Sequence, residues 1–239
     1  MIELQRVGKA YRSTEHRDIP ALHDIELTIE AGEMVAVVGP SGSGTSTLLN
    51  VLSCLDLPTE GRYRLDGINV GRISKRRLAK LRGRLIGFVF QNFDLIGKVS
   101  VQENVELPLL YRRRKGVRRR RARAALDRVG LRGHYEDRPV ELFAAQRQKA
   151  LIARALINDP AVLLDDEPTG DLDIDSAIEV MELFVELNEA GRTVVYCTHD
   201  DDIAAWAKRI IRMRAGRIVS DRSNVPYRPH RPKPHLRAV

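Results

Sequence analysis

Residues 34–55 read MVAVV, GPSGSG, TSTLLNVLSCL, and this stretch decides the fold. Five apolar residues running into a glycine read as a short buried strand. The segment from Gly39 to Gly44 is a glycine-rich loop, and residues 45–55 have the apolar spacing of a helix. In a strand, loop and helix so arranged, successive backbone N–H groups and the positive helix end converge on a phosphate chain. The loop fits the pattern G-x-x-x-x-G-K-[ST] except at Thr45, which stands where lysine is expected. Ser46 is placed to hold Mg2+ through its hydroxyl. By itself such a segment also reads as a tight strand-to-helix turn, so the surrounding chain has to decide.

Working outward, IELQRV and LHDIELTIE near the N-terminus alternate as β-strands, and IGFVF (86–90) is a second buried strand. Residues 99 to about 137 are polar and helical in pattern, which predicts a helical subdomain. A helix, RQKALIARALI, follows Gln146. Then come the strand AVLLD, a helix over 175–190, the strand TVVYC, a helix at DDIAAWA and a hairpin, RIIRMRAGRIVS. Strands alternating with helices after an antiparallel start predict an α/β fold with a mixed β core. LLDDE (163–167) ends an apolar strand in acids, at the strand end where a phosphate loop would lie. Asp166 is suited to Mg2+, and Glu167 to polarising an attacking water. Gln91 follows the strand IGFVF, His199 follows TVVYC, and Tyr11 is an aromatic able to stack on a base. Singly, these three also read as a loop amide, a satisfied polar residue and a surface ring.

Together, their order and spacing resemble the ATPases of ABC transporters over residues 1 to about 220. GPSGSGTST is similar to that family's Walker A loop, LLDDEPTG to its Walker B segment, and residues 171–173, DLD, to its D-loop. Gln91 matches the Q-loop, His199 the switch histidine and Tyr11 the adenine-stacking aromatic. QENVELPLLY and DEPTGDLD look most like the subgroup of lipoprotein-releasing, macrolide-efflux and cell-division ATPases. The resemblance implies a P-loop NTPase fold with an antiparallel β subdomain and an inserted helical subdomain at about 95–155, all within residues 1–220. It implies ATP and Mg2+ as cofactors. Tyr11, Gly39, Ser41, Gly42, Ser43, Gly44, Thr45, Ser46, Thr47 and Asp173 would bind nucleotide. Ser46, Gln91 and Asp166 would hold the metal, and Glu167, His199 and Gln91 would be catalytic. The implied partners are a transmembrane permease and a second ATPase subunit, identical or different, with no specific nucleic acid. The implied location is cytoplasmic, on the inner face of the membrane through that permease.

The chain departs from the family at two motifs. Thr45 replaces a lysine that puts positive charge on the β- and γ-phosphates, and Leu142–Gln146 read LFAAQ in place of LSGGQ. Phe143 removes the serine hydroxyl, and Ala144 and Ala145 add Cβ atoms where backbone must approach a ligand. The following Arg147-Gln148-Lys149 also differs from the family's QQR. Impaired hydrolysis is therefore expected, with a non-hydrolysing pseudo-ATPase as the alternative. In a homodimer both composite sites carry both lesions; an intact partner would separate them, one to each site. Asp165, usually apolar or small in the family, is a third acid whose direction the sequence leaves open.

Composition narrows the rest. The 239 residues are 43% hydrophobic and 30% charged, within the globular range. No apolar run reaches the roughly 18 residues of a spanning helix. The net charge of +8 is concentrated: Arg112 to Arg123 holds nine basic residues and no acid, and Asp221 to Val239 five basic residues and one acid. The first run reads as a solvated helix face, or secondly as a contact for anionic lipid headgroups. The proline-rich tail, 221–239, is expected to be disordered. Cys54 and Cys197 match no metal spacing and are expected as buried thiols.

Overall fold

The computed structural model describes residues 1–12, 18–91, 95–110, 115–170 and 172–228. Two sheets organise them. The first is antiparallel and joins β1 (Ile2–Arg12), β2 (Asp18–Ile29), β4 (Glu60–Leu65) and β5 (Ile68–Asn69) in the order β2-β1-β4-β5. The second contains β3 (Met34–Val38), β6 (Ile86–Val89), β7 (Val162–Asp166), β8 (Thr193–Thr198), β9 (Arg209–Arg214) and β10 (Arg217–Ser223) in the order β10-β9-β3-β8-β7-β6. Its pairings are parallel except for the β9–β10 hairpin.

Period-2 alternation along the central strands gives each face of this sheet its own core. Met34, Ala36 and Val38 of β3 face one side with Leu163 of β7 and Val194 and Tyr196 of β8. There they meet α3 (Val101–Glu106), α4 (Lys115–Arg128), α5 (Ala144–Leu156) and α6 (Ile174–Glu189). Val35, Val37, Leu164, Val195 and Cys197 face the other side, against α1 (Thr45–Leu52), α2 (Lys75–Leu85) and the antiparallel sheet. Each buried Val or Leu contributes about 1.5–3 kcal/mol, so the strand register, which decides what is buried, is strongly determined.

The structure places β4, β5 and α2 where sequence patterning gave no element. Their buried residues, Tyr63, Leu65, Leu78, Leu81 and Leu85, complete the second core. The helical region is shorter than its polar pattern: α3 and α4 carry it, and among the described residues 130–138 are turns, bends and irregular backbone. The boundary at residue 220 cuts through β10. Beyond that strand, Asn224 Nδ2 donates to the carbonyls of Ala205 and Ala207, just past α7 (Asp201–Ala204). The Arg228 guanidinium lies 5.2 Å from the Trp206 ring. The expected disorder of 221–239 is therefore corrected for 221–228; residues 229–239 lie outside the described residues. Cys54 and Cys197 are buried free thiols. Burial pushes the Cys54 thiol up to about 11. Among the described residues no helix is long and apolar enough to cross a membrane.

Candidate nucleotide-binding site

The order β3-β8-β7 brings three parallel strand ends together. Val38 pairs with Thr198, and Asp166 with Cys197, so Gly39, His199 and Glu167 all leave the sheet at its carboxyl edge. Ligands of open α/β sheets bind at such an edge. Gly39 has no room for a side chain: a Cβ there would lie 2.4 Å from Ser43 Oγ and 2.8 Å from the Met213 carbonyl. Gly44 precedes α1 at φ +98°, in the left-handed region that glycine adopts without strain, and provides no side-chain cap. The first N–H groups of α1 are thus left for an anion. The β9–β10 turn braces the loop from behind, Gly216 N–H donating to the Ser43 carbonyl at 2.8 Å. Ser43 Oγ is buried without a partner among the described residues.

Thr45 opens α1 with no side-chain hydrogen bond among the described residues; only its carbonyl is engaged, by the Cys197 thiol at 3.6 Å. Ser46 Oγ donates to Asp166 Oδ1 at 3.3 Å. A hydroxyl beside a single carboxylate, with open space around them, suits Mg2+, which keeps several waters and takes few protein ligands. Burial raises the Asp166 carboxyl above its ordinary value, the Ser46 hydrogen bond opposes this, and Glu167 adds to the rise. The adjacent Glu167 has φ +64°, uncommon for a non-glycine residue. Its N–H donates to the Cys197 carbonyl at 3.0 Å, and its Oε1 lies 2.8 Å from His199 Nδ1. That contact raises the His199 imidazole above its usual value. Gln91, Glu167 and His199 line one cleft of about 130 Å3 with Gln148.

Asp165 faces away from this cleft's metal side. Alternation along β7 turns it from Ser46 to α5, where Gln148 Nε2 donates to its Oδ2 at 3.4 Å. It is fully buried, and desolvation first, then Asp166 and Glu167, hold its carboxyl well above the ordinary range. Its environment disfavours the charged carboxylate. No local sequence signal marks its partner Gln148, nor the Gly216 brace.

Tyr11 is tied down. Its hydroxyl donates to Asp56 Oδ2 at 2.7 Å, and Lys9 Nζ stands 4.9 Å from its ring centroid. Partial burial and then Asp56 raise its phenol, while Thr47 of α1 opposes them. That last contact joins the ring to the helix that follows the loop. Asp173 lies apart, as the N-cap of α6: its carboxylate accepts from Ser176 N–H at 2.9 Å and from Ser176 Oγ at 2.7 Å. Asp171 lies outside the described residues. The LFAAQ loop enters α5 with Phe143 as N-cap, its ring 80% exposed and able to accept no hydrogen bond from the helix. Gln146 Oε1 takes the Phe143 N–H at 2.9 Å, and Arg147 Nη1 donates to the Leu142 carbonyl at 3.0 Å.

With the loop, acids and histidine assembled at one sheet edge, residues 22–170 match the family described as ABC transporter. The chain belongs to that family. ATP with Mg2+ is the family's cofactor pair, and the donors around Ser46 and Asp166 fit it. The chain is 48% identical over 225 residues to a probable syringafactin export ATP-binding/permease protein of Pseudomonas syringae, covering 94% of this chain and 34% of that one. It is 45% identical over 228 residues to a macrolide export ATP-binding/permease protein of Hyphomonas neptunium, covering 94% and 35%. It spans about a third of these two relatives. By contrast, an uncharacterised ABC transporter ATP-binding protein of Bacillus subtilis, YvrO, is matched at 44% identity over 92% of this chain and 96% of its own length. Among solved structures, the dimeric cassette MJ0796 superposes with a TM-score of 0.85 at 41% identity, covering 95% of this chain and all of that one. A second structure of that cassette is a dimer bound to ADP and Pi.

Proposed function

We propose that this chain is the nucleotide-binding subunit of an export complex, binding ATP and Mg2+ at a dimer interface to drive or gate a membrane permease, with impaired intrinsic hydrolysis. The observation that carries the reading is the paired contact at the sheet edge: Ser46 to Asp166 at 3.3 Å, with Glu167 against His199 at 2.8 Å. Ser46 and Asp166 would hold the metal, which when bound neutralises charge on the phosphates. The N–H groups of the loop and of α1 would cradle the phosphate oxygens. Glu167 is suited to orient a water, and His199 holds that carboxylate at the cleft. Tyr11 offers its ring to a base. Names of relatives supply the export and permease elements of the proposal, and the dimeric cassette supports assembly in pairs. In such an assembly the chain sits on the cytoplasmic face of the membrane, held there by the permease.

Impairment rests on Thr45 and on Phe143. The first brings no cation to the loop, and the second places an exposed ring, not a hydroxyl, at the helix start. These two residues also favour a second reading, a non-hydrolysing subunit that binds nucleotide as a structural or regulatory element. Single-turnover and steady-state hydrolysis by the purified chain, alone and with its permease, separate the two. Glu167-dependent turnover stimulated by the permease supports the first; nucleotide binding without turnover in either setting supports the second. Absence of any nucleotide binding overturns both.

A further inference from the structure

The long arginine run and α2 are both basic and without acids in sequence, but their surroundings differ. On α4, Arg118 pairs with Glu106 at 3.5 Å, Arg119 and Arg123 with Glu136 at 3.0 Å each, and Arg128 with Asp159 at 3.7 Å. Arg123 also donates to Gln102 and lies 4.9 Å from the Tyr135 ring. Four arginines of α4 are therefore paired within the protein, and residues 112–114 lie outside the described residues. On α2, six of eleven residues are basic and none is acidic. Leu78, Leu81 and Leu85 anchor its inner face, and Arg82 Nη1 donates to the Cys54 carbonyl at 3.1 Å. The side chains of Lys75, Arg76, Arg77, Lys80 and Arg84 form no ion pair among the described residues. From Gly67 to Gln91 the chain has no acid at all.

Arg77, Lys80 and Arg84 recur at i, i+3 and i+7, so they form one stripe along the helix. Between this stripe and the β5 edge lies a cavity of about 360 Å3, floored by Ile68, Ile73 and Leu81 and rimmed by those three cations. An apolar floor under an unneutralised cationic rim matches an amphiphile with an anionic head. We infer that the outer face of α2 is a contact site for anionic phospholipid: the cations take headgroup phosphates and the floor receives the upper acyl or glycerol portion. A basic amphipathic helix is a recognised form of membrane-surface contact, and each cation near an anionic surface strengthens binding about 5-fold. The site is separate from the nucleotide loop, so it adds a direct membrane contact to whatever a permease provides.

The test is co-sedimentation of the full chain with vesicles of phosphatidylcholine alone, or of phosphatidylcholine mixed with phosphatidylglycerol, at low and high salt. The α2 triple variant Arg77→Gln, Lys80→Gln, Arg84→Gln is compared with an α4 triple variant of equal charge loss at paired arginines, Arg119→Gln, Arg123→Gln, Arg128→Gln. The parent is expected on phosphatidylglycerol vesicles only, more at low salt. The α2 variant should lose on the order of 100-fold in partitioning, and the α4 variant far less. Unchanged melting and unchanged nucleotide binding of the α2 variant keep this result independent of folding and of the proposed function. Equal loss in both variants would mean that net charge alone is read, and would overturn the assignment. So would failure of the parent to bind phosphatidylglycerol vesicles. Polyglutamate binding that depends on the α2 stripe, without vesicle binding, would assign the face to an acidic protein partner instead.

Discussion

Replacing Thr45 by lysine tests the reading of the loop most directly. Thr45 is half-buried at the first position of α1, and its hydroxyl makes no hydrogen bond among the described residues, so the substitution breaks no internal contact. A lysine there restores one charge-assisted contact to phosphate, about 1.5–3 kcal/mol, which corresponds to roughly 10- to 150-fold in affinity. Two smaller effects oppose each other in the free protein. A cation at a helix N-terminus costs about 0.3–1 kcal/mol against the helix dipole, and lysine has somewhat better helix propensity than threonine, by a few tenths of a kcal/mol. Stability without nucleotide should therefore fall slightly or not at all, while the shift on adding Mg-ATP should grow. Isothermal titration with Mg-ATP measures the first quantity and thermal unfolding with and without nucleotide the second. Tight binding by the parent, unchanged in the lysine variant, would refute the argument that the loop lacks its cation.

Hydrolysis by the isolated chain should be near background, and Thr45→Lys alone should leave it there. Adding Phe143→Ser, Ala144→Gly and Ala145→Gly should give a gain larger than the two changes separately, because both act on one transition state; brisk Glu167-dependent turnover by the parent would contradict this. Asp165 supplies a pH test. Its folded-state carboxyl is held well above the unfolded value, so the stability it brings is complete below the unfolded value of about 3.9 and is lost as pH rises toward the folded one. Asp165→Asn removes that dependence, so denaturant titrations at pH 5 and pH 8 should show the variant gaining on the parent at the higher pH; a constant difference would count against the upward shift of this carboxyl. Asn224→Ala leaves the carbonyls of Ala205 and Ala207 without its amide. The cost should be about 1–3 kcal/mol, read as a fall in melting temperature of several degrees; no fall would place residues 221–228 outside the cooperative unit.

The nucleotide loop was legible because it is written in consecutive residues. MVAVV, the glycines and the helical TSTLLNVL specify strand, turn and helix locally, and Thr45 and LFAAQ are visible as substitutions within known patterns. The same holds for Gln91, Glu167 and His199, each fixed by following an apolar strand. That they share one cleft was implied by the pattern, yet it depends on the strand order β3-β8-β7, which is a matter of long-range pairing. Asp173 was readable as a D-loop residue, but its bonds to Ser176 show it also capping a helix. For Asp165, alternation puts its side chain on the face opposite Asp166; only the packing of α5 makes that face dry enough to disfavour its charged form.

Charge divides the two sources of information most sharply. Sequence counts cations, and it puts the excess in two segments, 112–123 and 221–239. Tertiary structure decides which cations are spent, because Coulombic pairing depends on distance in space. Glu136 reaches Arg119 and Arg123 across the turns after α4, and Glu106 reaches Arg118 from α3, so three of the run's nine cations are paired from within. Among the described residues no acid pairs with Lys75, Arg76, Arg77, Lys80 or Arg84 of the shorter run on α2, and that charge is left for something outside the chain.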